Sequence, residues 1–233
     1  MTRGGPTRRL VEFWQRDLSL TVMLGLLVVL LFILVPLSDK GPFGVLGVMT
    51  RLTLTLLLAA GMEATGVNRG WLLLALLAGM GPYLLNYLGS SDTLVVADYG
   101  LTAILMIGLA SLVLRTTFRS GPITAARIQG AIAAFLLLGT AWGMVYGALH
   151  ALDPGAFSVP PSEAGSLPAT LLYFSFTTLT TLGYGDVTPV SPVARALANA
   201  EALTGLLYPA ILISRLVTME LAHRHPGQPS GRE

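Results

Sequence analysis

Residues 177 to 186 read Thr177-Thr178-Leu179-Thr180-Thr181-Leu182-Gly183-Tyr184-Gly185-Asp186. Gly183 and Gly185 can adopt backbone angles closed to L-residues, so consecutive carbonyls can all turn toward one axis. Thr181 adds a hydroxyl at one end of that row. Oxygens aimed in this way suit a cation that has shed its water. Taken alone, Gly-Tyr-Gly-Asp also describes an ordinary turn, since Gly and Asp are turn formers. Context decides between the two: a short apolar, Thr-rich segment precedes the run, and long apolar segments flank it on both sides.

Those flanking elements place the chain in a membrane. Of 233 residues, 53% are hydrophobic and 11% charged, against about 25% charged in soluble domains. There is no cysteine, which rules out disulfides and thiolate metal or redox sites. His150, His223 and His225 lie at or beyond the ends of apolar segments; the last two could bind metal, but a solvated tail is the better reading. Six segments come near the roughly 20 apolar residues that a spanning helix needs: Leu18 to Leu37, Val45 to Ala64, Trp71 to Leu88, Thr93 to Leu114, Arg127 to Leu149 and Val193 to Val217. The first has too long an apolar core, and no small-residue cleavage site, for a signal peptide. A seventh stretch, Leu167 to Leu179, is too short to cross. It fits a re-entrant helix, which a bilayer tolerates where protein or water covers the backbone.

Charge orients the spans. With the N-terminus inside, the inner stretches hold Arg3, Arg8, Arg9, Arg16, Arg69, Arg115, Arg119, Arg127, Arg215, Arg224 and Arg232, eleven of fourteen basic residues. Lys40 and Arg195 fall outside and Arg51 within a span. The bias is positive-inside, and it brings the re-entrant loop in from the outer face without reference to the Gly-Tyr-Gly run.

On these residues the stretch from about Arg127 to Glu220 resembles the pore unit of potassium channels. The resemblance implies an all-α membrane protein: six transmembrane helices, a re-entrant pore helix and a selectivity-filter loop, in a fourfold homotetramer. It implies a filter of Thr181, Leu182, Gly183, Tyr184 and Gly185, with K⁺ held at Thr181 to Tyr184. Leu182 departs from the more usual Val or Ile, but its carbonyl would face the ion, so selectivity should survive. Tyr184 should point away from the axis. Tyr173, Thr177, Thr180 and Asp186 would support the filter. Tyr173 and Phe174 stand where many family members carry two tryptophans, and Tyr173 could reach Asp186. Thr177 replaces a buried glutamate found in some members, so a carboxyl-carboxylate clamp with Asp186 is not available.

Around the filter, Ala151 to Leu167 reads as an outer turret with Asp153 and Glu163. Ser166 and Pro168 suit the cap and first turn of a pore helix. On the last span, Gly205 matches the family's hinge glycine, with close helix packing the alternative. Pro209 should bend the helix. Gly205, Leu206, Pro209, Ile213 and Val217 are the cavity and gate candidates. Glu201, an intramembrane carboxylate, is expected to bond the back of the pore helix or a neighbouring subunit, not an ion.

Residues 18–114 match six-span channels only in span count and polarity. A voltage sensor needs several arginines on its fourth helix, each worth about 2.3 kcal/mol per 100 mV. Thr93 to Leu114 contains no basic residue and one charge, Asp98. Arg51 and Asp98 sit at similar depth and should form an ion pair, with Glu63 near Arg69 or Arg115. Gly81-Pro82 should bend the third span, leaving Asn86 to find a partner. The domain organisation expected is thus a cytoplasmic N-terminus (1–17), a four-helix peripheral domain (18–114), a linker (115–126), the pore domain (127–220) and a cytoplasmic tail (221–233). The tail is too short for a nucleotide- or Ca²⁺-sensing domain.

The expectation is a K⁺-selective channel of a cell membrane, multi-pass, not steeply voltage-gated. Both termini are cytoplasmic and the filter is extracellular. It is not an enzyme, needs no cofactor beyond permeant K⁺, and has lipid and copies of itself as partners, with no nucleic acid. A K⁺ transporter subunit is the rival reading, though those carry four degenerate loops in one chain. A non-conducting regulatory subunit is another.

Overall fold

A computed structural model describes residues 19–37, 45–65, 91–118, 124–160 and 166–224. The expected third span, with Gly81-Pro82 and Asn86, lies outside them, as do Arg69, Glu163 and the Glu63 contact. The described helices are α1 (Ser19–Leu37), α2 (Val45–Thr65), α3 (Asp92–Thr117), α4 (Ala125–Leu152), α5 (Leu167–Leu179) and α6 (Pro192–Arg224). Of these, α1, α3, α4 and the stretch of α6 to Arg215 are long and apolar enough to cross a membrane.

Each helix begins and buries itself for identifiable reasons. In α1, Met23, Leu27 and Leu30 are buried at helical spacing. Pro36 has no amide proton and its ring crowds the carbonyl four residues earlier; just before it, the helix widens into a π turn over Leu30–Leu34, with the Val35 amide bonded to Leu30. Ser91 caps α3 by accepting the Leu94 amide at 3.3 Å. Asp92 lies in its first turn and Arg115 in its last, the signs that a helix dipole favours.

The central post is α4, because its small residues let neighbours come close. A Cβ on Gly130 would stand 2.5 Å from the Thr117 hydroxyl, and one on Gly147 2.6 Å from the Tyr99 ring, so α3 lies directly against α4. On Gly139 and Gly143 a Cβ would stand 2.7 Å from Phe176 and Leu172, which is where α5 docks. α3 ends at Thr117 and α4 begins at Ala125. Arg215 of α6 stacks over Phe118 at 5.3 Å, and the Tyr208 hydroxyl donates to the Ala131 carbonyl at 2.6 Å. Helices α1 to α4 thus share one core, with Leu27, Leu57 and Met106 beside Ala134 and Leu137.

The expected ion pair is present. Both guanidinium nitrogens of Arg51 bond the two carboxylate oxygens of Asp98, Nη1 to Oδ1 at 2.9 Å. Asp98 is buried and Arg51 partly so, and the two-pronged bond ties α2 to α3.

Outside α4, a two-residue strand β1 (Phe157–Ser158) pairs antiparallel with β2 (Thr188–Pro189), Phe157 opposite Pro189. The Val190 and Ser191 amides also donate to the Ala156 carbonyl. This clasp closes the chain on both sides of α5 and the loop after it. Beneath it Tyr146, Phe157 and Phe174 form a three-ring cluster with centroids 5.1 to 5.5 Å apart, each contact worth about 0.5–1.5 kcal/mol beyond its burial.

Candidate ion-conduction site

α5 has the bounds expected of the pore helix. Pro168 is in its first turn, but the Ser166 hydroxyl makes no capping bond. The Ser166 backbone instead accepts the Thr170 hydroxyl at 3.3 Å.

A helix end leaves its last carbonyls without partners, and here the following loop supplies them. Phe176 accepts the Thr180 amide at 3.0 Å and the Thr180 hydroxyl at 2.6 Å. Thr178 accepts the Thr181 amide at 2.9 Å. Thr177 accepts the amides of both Leu182 and Gly183, at 2.8 and 3.1 Å. Four consecutive amides therefore point back into α5. The fourth carbonyl, on Leu179, meets α6: a Cβ on Gly205 would lie 1.7 Å from it.

Backbone handedness alternates along the same loop. Thr181, Gly183 and Gly185 have φ of 58°, 54° and 81°, while Leu182 and Tyr184 have ordinary negative φ. Residues of alternating hand turn successive carbonyls to one side, the arrangement the two glycines were expected to permit. The third left-handed residue, Thr181, was not anticipated. A β-branched residue there is strained, by about 1–3 kcal/mol, and its amide bond to Thr178 helps to hold it. A Cβ on Gly183 or Gly185 would meet nothing within 4 Å in this chain, so φ, not crowding within the chain, calls for glycine.

Tyr173, Thr177 and Asp186 make the following contacts. Tyr173 donates to Asp186 Oδ2 at 2.8 Å, and the Val187 amide donates to Oδ1 at 3.0 Å. The Tyr173 bond, ahead of the amide bonds and against the opposing effect of desolvation, holds the Asp186 carboxyl below the usual carboxylate range. The Tyr173 ring lies parallel to Tyr184, at 6.4 Å. The Thr177 hydroxyl turns into its own helix, to the Phe174 carbonyl at 3.0 Å, so Thr177 meets the following loop through its backbone carbonyl. Phe174 is buried in the ring cluster.

Glu201 is bonded behind α5, as expected: the Ser175 hydroxyl contacts Oε1 at 2.6 Å and Tyr146 donates to Oε2 at 2.5 Å. Sequence reasoning passed over Ser175 and Tyr146. The signal available was a lone intramembrane carboxylate in want of donors.

One copy leaves this site open on one side. Leu182 is 56% exposed and Tyr184 69%. On α6, Leu206, Pro209, Ile213 and Val217 are all exposed, but so are Leu203, Leu207 and Ile211 on its other faces. That is more apolar surface than a cavity lining accounts for. Gly205 is a contact glycine in this structure, its Cα pressed to the end of α5.

Residues 130–221 match the family model described as ion channel. The chain is 43% identical over 86 residues to Protein LctB of Geobacillus stearothermophilus and 42% over 86 residues to Protein LctB of Bacillus caldotenax, in each case 35% of this chain and 62% of the relative. It is 38% identical over 89 residues, 37% of this chain and 18% of the relative, to two pore potassium channel c of Oryza sativa subsp. japonica. The chain thus spans about three fifths of the LctB proteins. No solved structure matches. The matches support an ion channel domain over residues 130–221, in a mostly helical membrane protein similar to potassium channels, and point to a channel, not an enzyme.

Proposed function

We propose that the chain is one subunit of a homotetrameric, K⁺-selective channel whose filter is Thr181 to Gly185. The observation that carries this is the loop's two-sided backbone. Its amides are consumed by the α5 carbonyls and its residues alternate in hand at Thr181, Gly183 and Gly185. Its own carbonyls are thereby left to face the open side. A single strand offers oxygens from one direction, whereas a dehydrated ion needs them all round. Four copies about one axis supply the cage and cover the exposed apolar surface of α6. K⁺ passes as the permeant species, with no resident cofactor.

The filter lies at the extracellular side of a cell membrane, with both termini cytoplasmic. α3 carries no basic residue before Arg115, and its one buried charge, Asp98, is paired with Arg51. The peripheral domain is therefore structural and conductance does not depend steeply on voltage. Gating lies in the inner helix or in the filter, with Leu206, Pro209, Ile213 and Val217 lining the cavity.

Purified protein in liposomes tests this. K⁺ efflux should exceed Na⁺ efflux, be blocked by Ba²⁺, and vanish in Gly183→Ala, which forces an L-residue into the left-handed region. Equal K⁺ and Na⁺ flux, or K⁺ flux indifferent to the substitution, would refute the filter assignment.

A further inference from the structure

Behind α5, three polar side chains are sealed from solvent: Glu201, Ser175 and Tyr146 are each 0% exposed. The Tyr146 hydroxyl lies 2.5 Å from Glu201 Oε2. Ser175 Oγ lies 2.6 Å from Glu201 Oε1 and also 2.7 Å from the Gly139 carbonyl on α4.

Counting protons decides the state of the carboxyl. Ser175 brings one hydroxyl proton, and the Gly139 oxygen brings none. Were Glu201 ionised, Ser175 would face two acceptors with a single proton. One of the two short oxygen contacts would then be a bare repulsion. With a proton on Oε1 the chain closes: Tyr146 donates to Oε2, Oε1 donates to Ser175, and Ser175 donates to Gly139. A proton on Oε2 instead would leave Ser175 again with two acceptors and strip Tyr146 of the acceptor it has here. We infer that Glu201 is a proton-binding site, and that the proton it holds keeps α4, α5 and α6 bonded together behind the filter.

The surroundings offer no alternative partner. From α4 the carboxyl meets Tyr146, with His150 one turn further out. α5 carries no acidic or basic residue, and its Tyr173 is turned to Asp186. On α6 itself, Arg195 donates to the Pro189 carbonyl and Arg215 lies over Phe118. In the turret, Asp153 accepts the Gly155 amide. No cation bonds this carboxyl among the described residues, and an isolated buried carboxylate takes up a proton in preference to standing charged.

The site bears on the filter through its neighbours. Ser175 is two residues from Thr177, whose carbonyl anchors the Leu182 and Gly183 amides. Glu201 is one turn before Gly205, which presses on Leu179. Losing the proton swings the Ser175 hydroxyl from Gly139 to the carboxylate. That breaks the Ser175 bond between α5 and α4 and leaves a buried anion held by two hydroxyls, with no cation bonded to it among the described residues.

Infrared difference spectra of the full chain in lipid at neutral pH, parent against Glu201→Gln, should show an un-ionised carboxylic acid lost in the variant. K⁺ flux should fall several-fold from neutral into alkaline pH in the parent and stay level in Glu201→Gln, whose amide can donate to Ser175 and accept from Tyr146. If that variant does not assemble, Ser175→Ala should shift the same acid band by removing its acceptor. A carboxylate signal alone at neutral pH overturns the proton. An acid band accompanied by the same alkaline fall in both chains overturns the tie to the filter. The flux half rests on the conduction reading and the spectrum does not, so absence of K⁺ flux in both chains would count against conduction while the band still decides the proton site.

Discussion

Replacing Gly205 by alanine puts a methyl carbon 1.7 Å from the Leu179 carbonyl oxygen and 2.6 Å from its carbon. Both atoms belong to backbone held by the α5 end, so no side chain can turn aside. To restore ordinary contact at 3.4 Å, α6 must recede by about 1.7 Å at this point. The Glu201 to Ser175 contact, 2.6 Å and one turn away, cannot survive that movement intact. Overpacking typically costs about 1–3 kcal/mol, and a backbone obstacle places Gly205→Ala at the upper end. For a chain of this size that lowers the melting temperature by about 2–4 °C per kcal/mol. Thermal unfolding of the purified protein, with liposome K⁺ flux alongside, should show a fall of roughly 6–12 °C and reduced flux. Gly100→Ala and Gly108→Ala are the controls: both sit in α3 with nothing within 4 Å of the added carbon. They should leave the melting temperature unchanged or raise it, since alanine is favoured over glycine in helices by about 1 kcal/mol. A Gly205→Ala chain as stable and conductive as its parent would show that the close contact does not exist.

Three further outcomes follow from the same geometry. Arg51→Gln should destabilise the chain by about 3 kcal/mol, because it takes the guanidinium from the buried Asp98 carboxylate, while the conductance-voltage curve stays flat; a steep curve in the parent that the substitution abolishes would mean that the pair senses voltage. Asp186 titrates below the ordinary carboxylate range because it is bonded as the anion, so its support is present above that range and is lost only as pH falls through the depressed value. Tyr173→Phe removes the largest cause of the depression and should move the acid-side loss of K⁺ flux to higher pH, measured by flux against external pH; an unmoved profile would show that this bond does not support the filter. Gly183→Ala should abolish K⁺ flux and lower the melting temperature of the unassembled chain by roughly 2–8 °C, because its methyl meets nothing there and the penalty is the left-handed backbone alone, about 1–2 kcal/mol.

Much of this was legible from the sequence wherever one local property decided the outcome. Leu167 to Leu179 is apolar and too short to span, and α5 has those bounds. Arg51 and Asp98 had similar depth and opposite charge, and they pair. Tyr173 had the reach for Asp186, and it bonds there. Features set by two distant segments were harder to read. Nothing local marks Thr181 as left-handed; that follows from four amides turning back to three α5 carbonyls. Gly205 had equal claims as hinge and as contact until the end of α5, 26 residues earlier, was seen against it. Ser166 has the residue type of a cap, yet its hydroxyl is not used as one. The partners of Glu201 stand 26 and 55 residues away, so spacing along the chain could not have selected them.

The central claim is that four copies turn the carbonyls of Thr181 to Gly185 onto one axis and hold K⁺ there. An experimentally determined map of the intact particle in lipid with K⁺ tests it most directly. The account predicts fourfold symmetry, the four loops facing each other, and ion density on the axis between the carbonyls of Thr181 to Tyr184. A monomer, a particle without a fourfold axis, or loops whose carbonyls face away from the centre would contradict it.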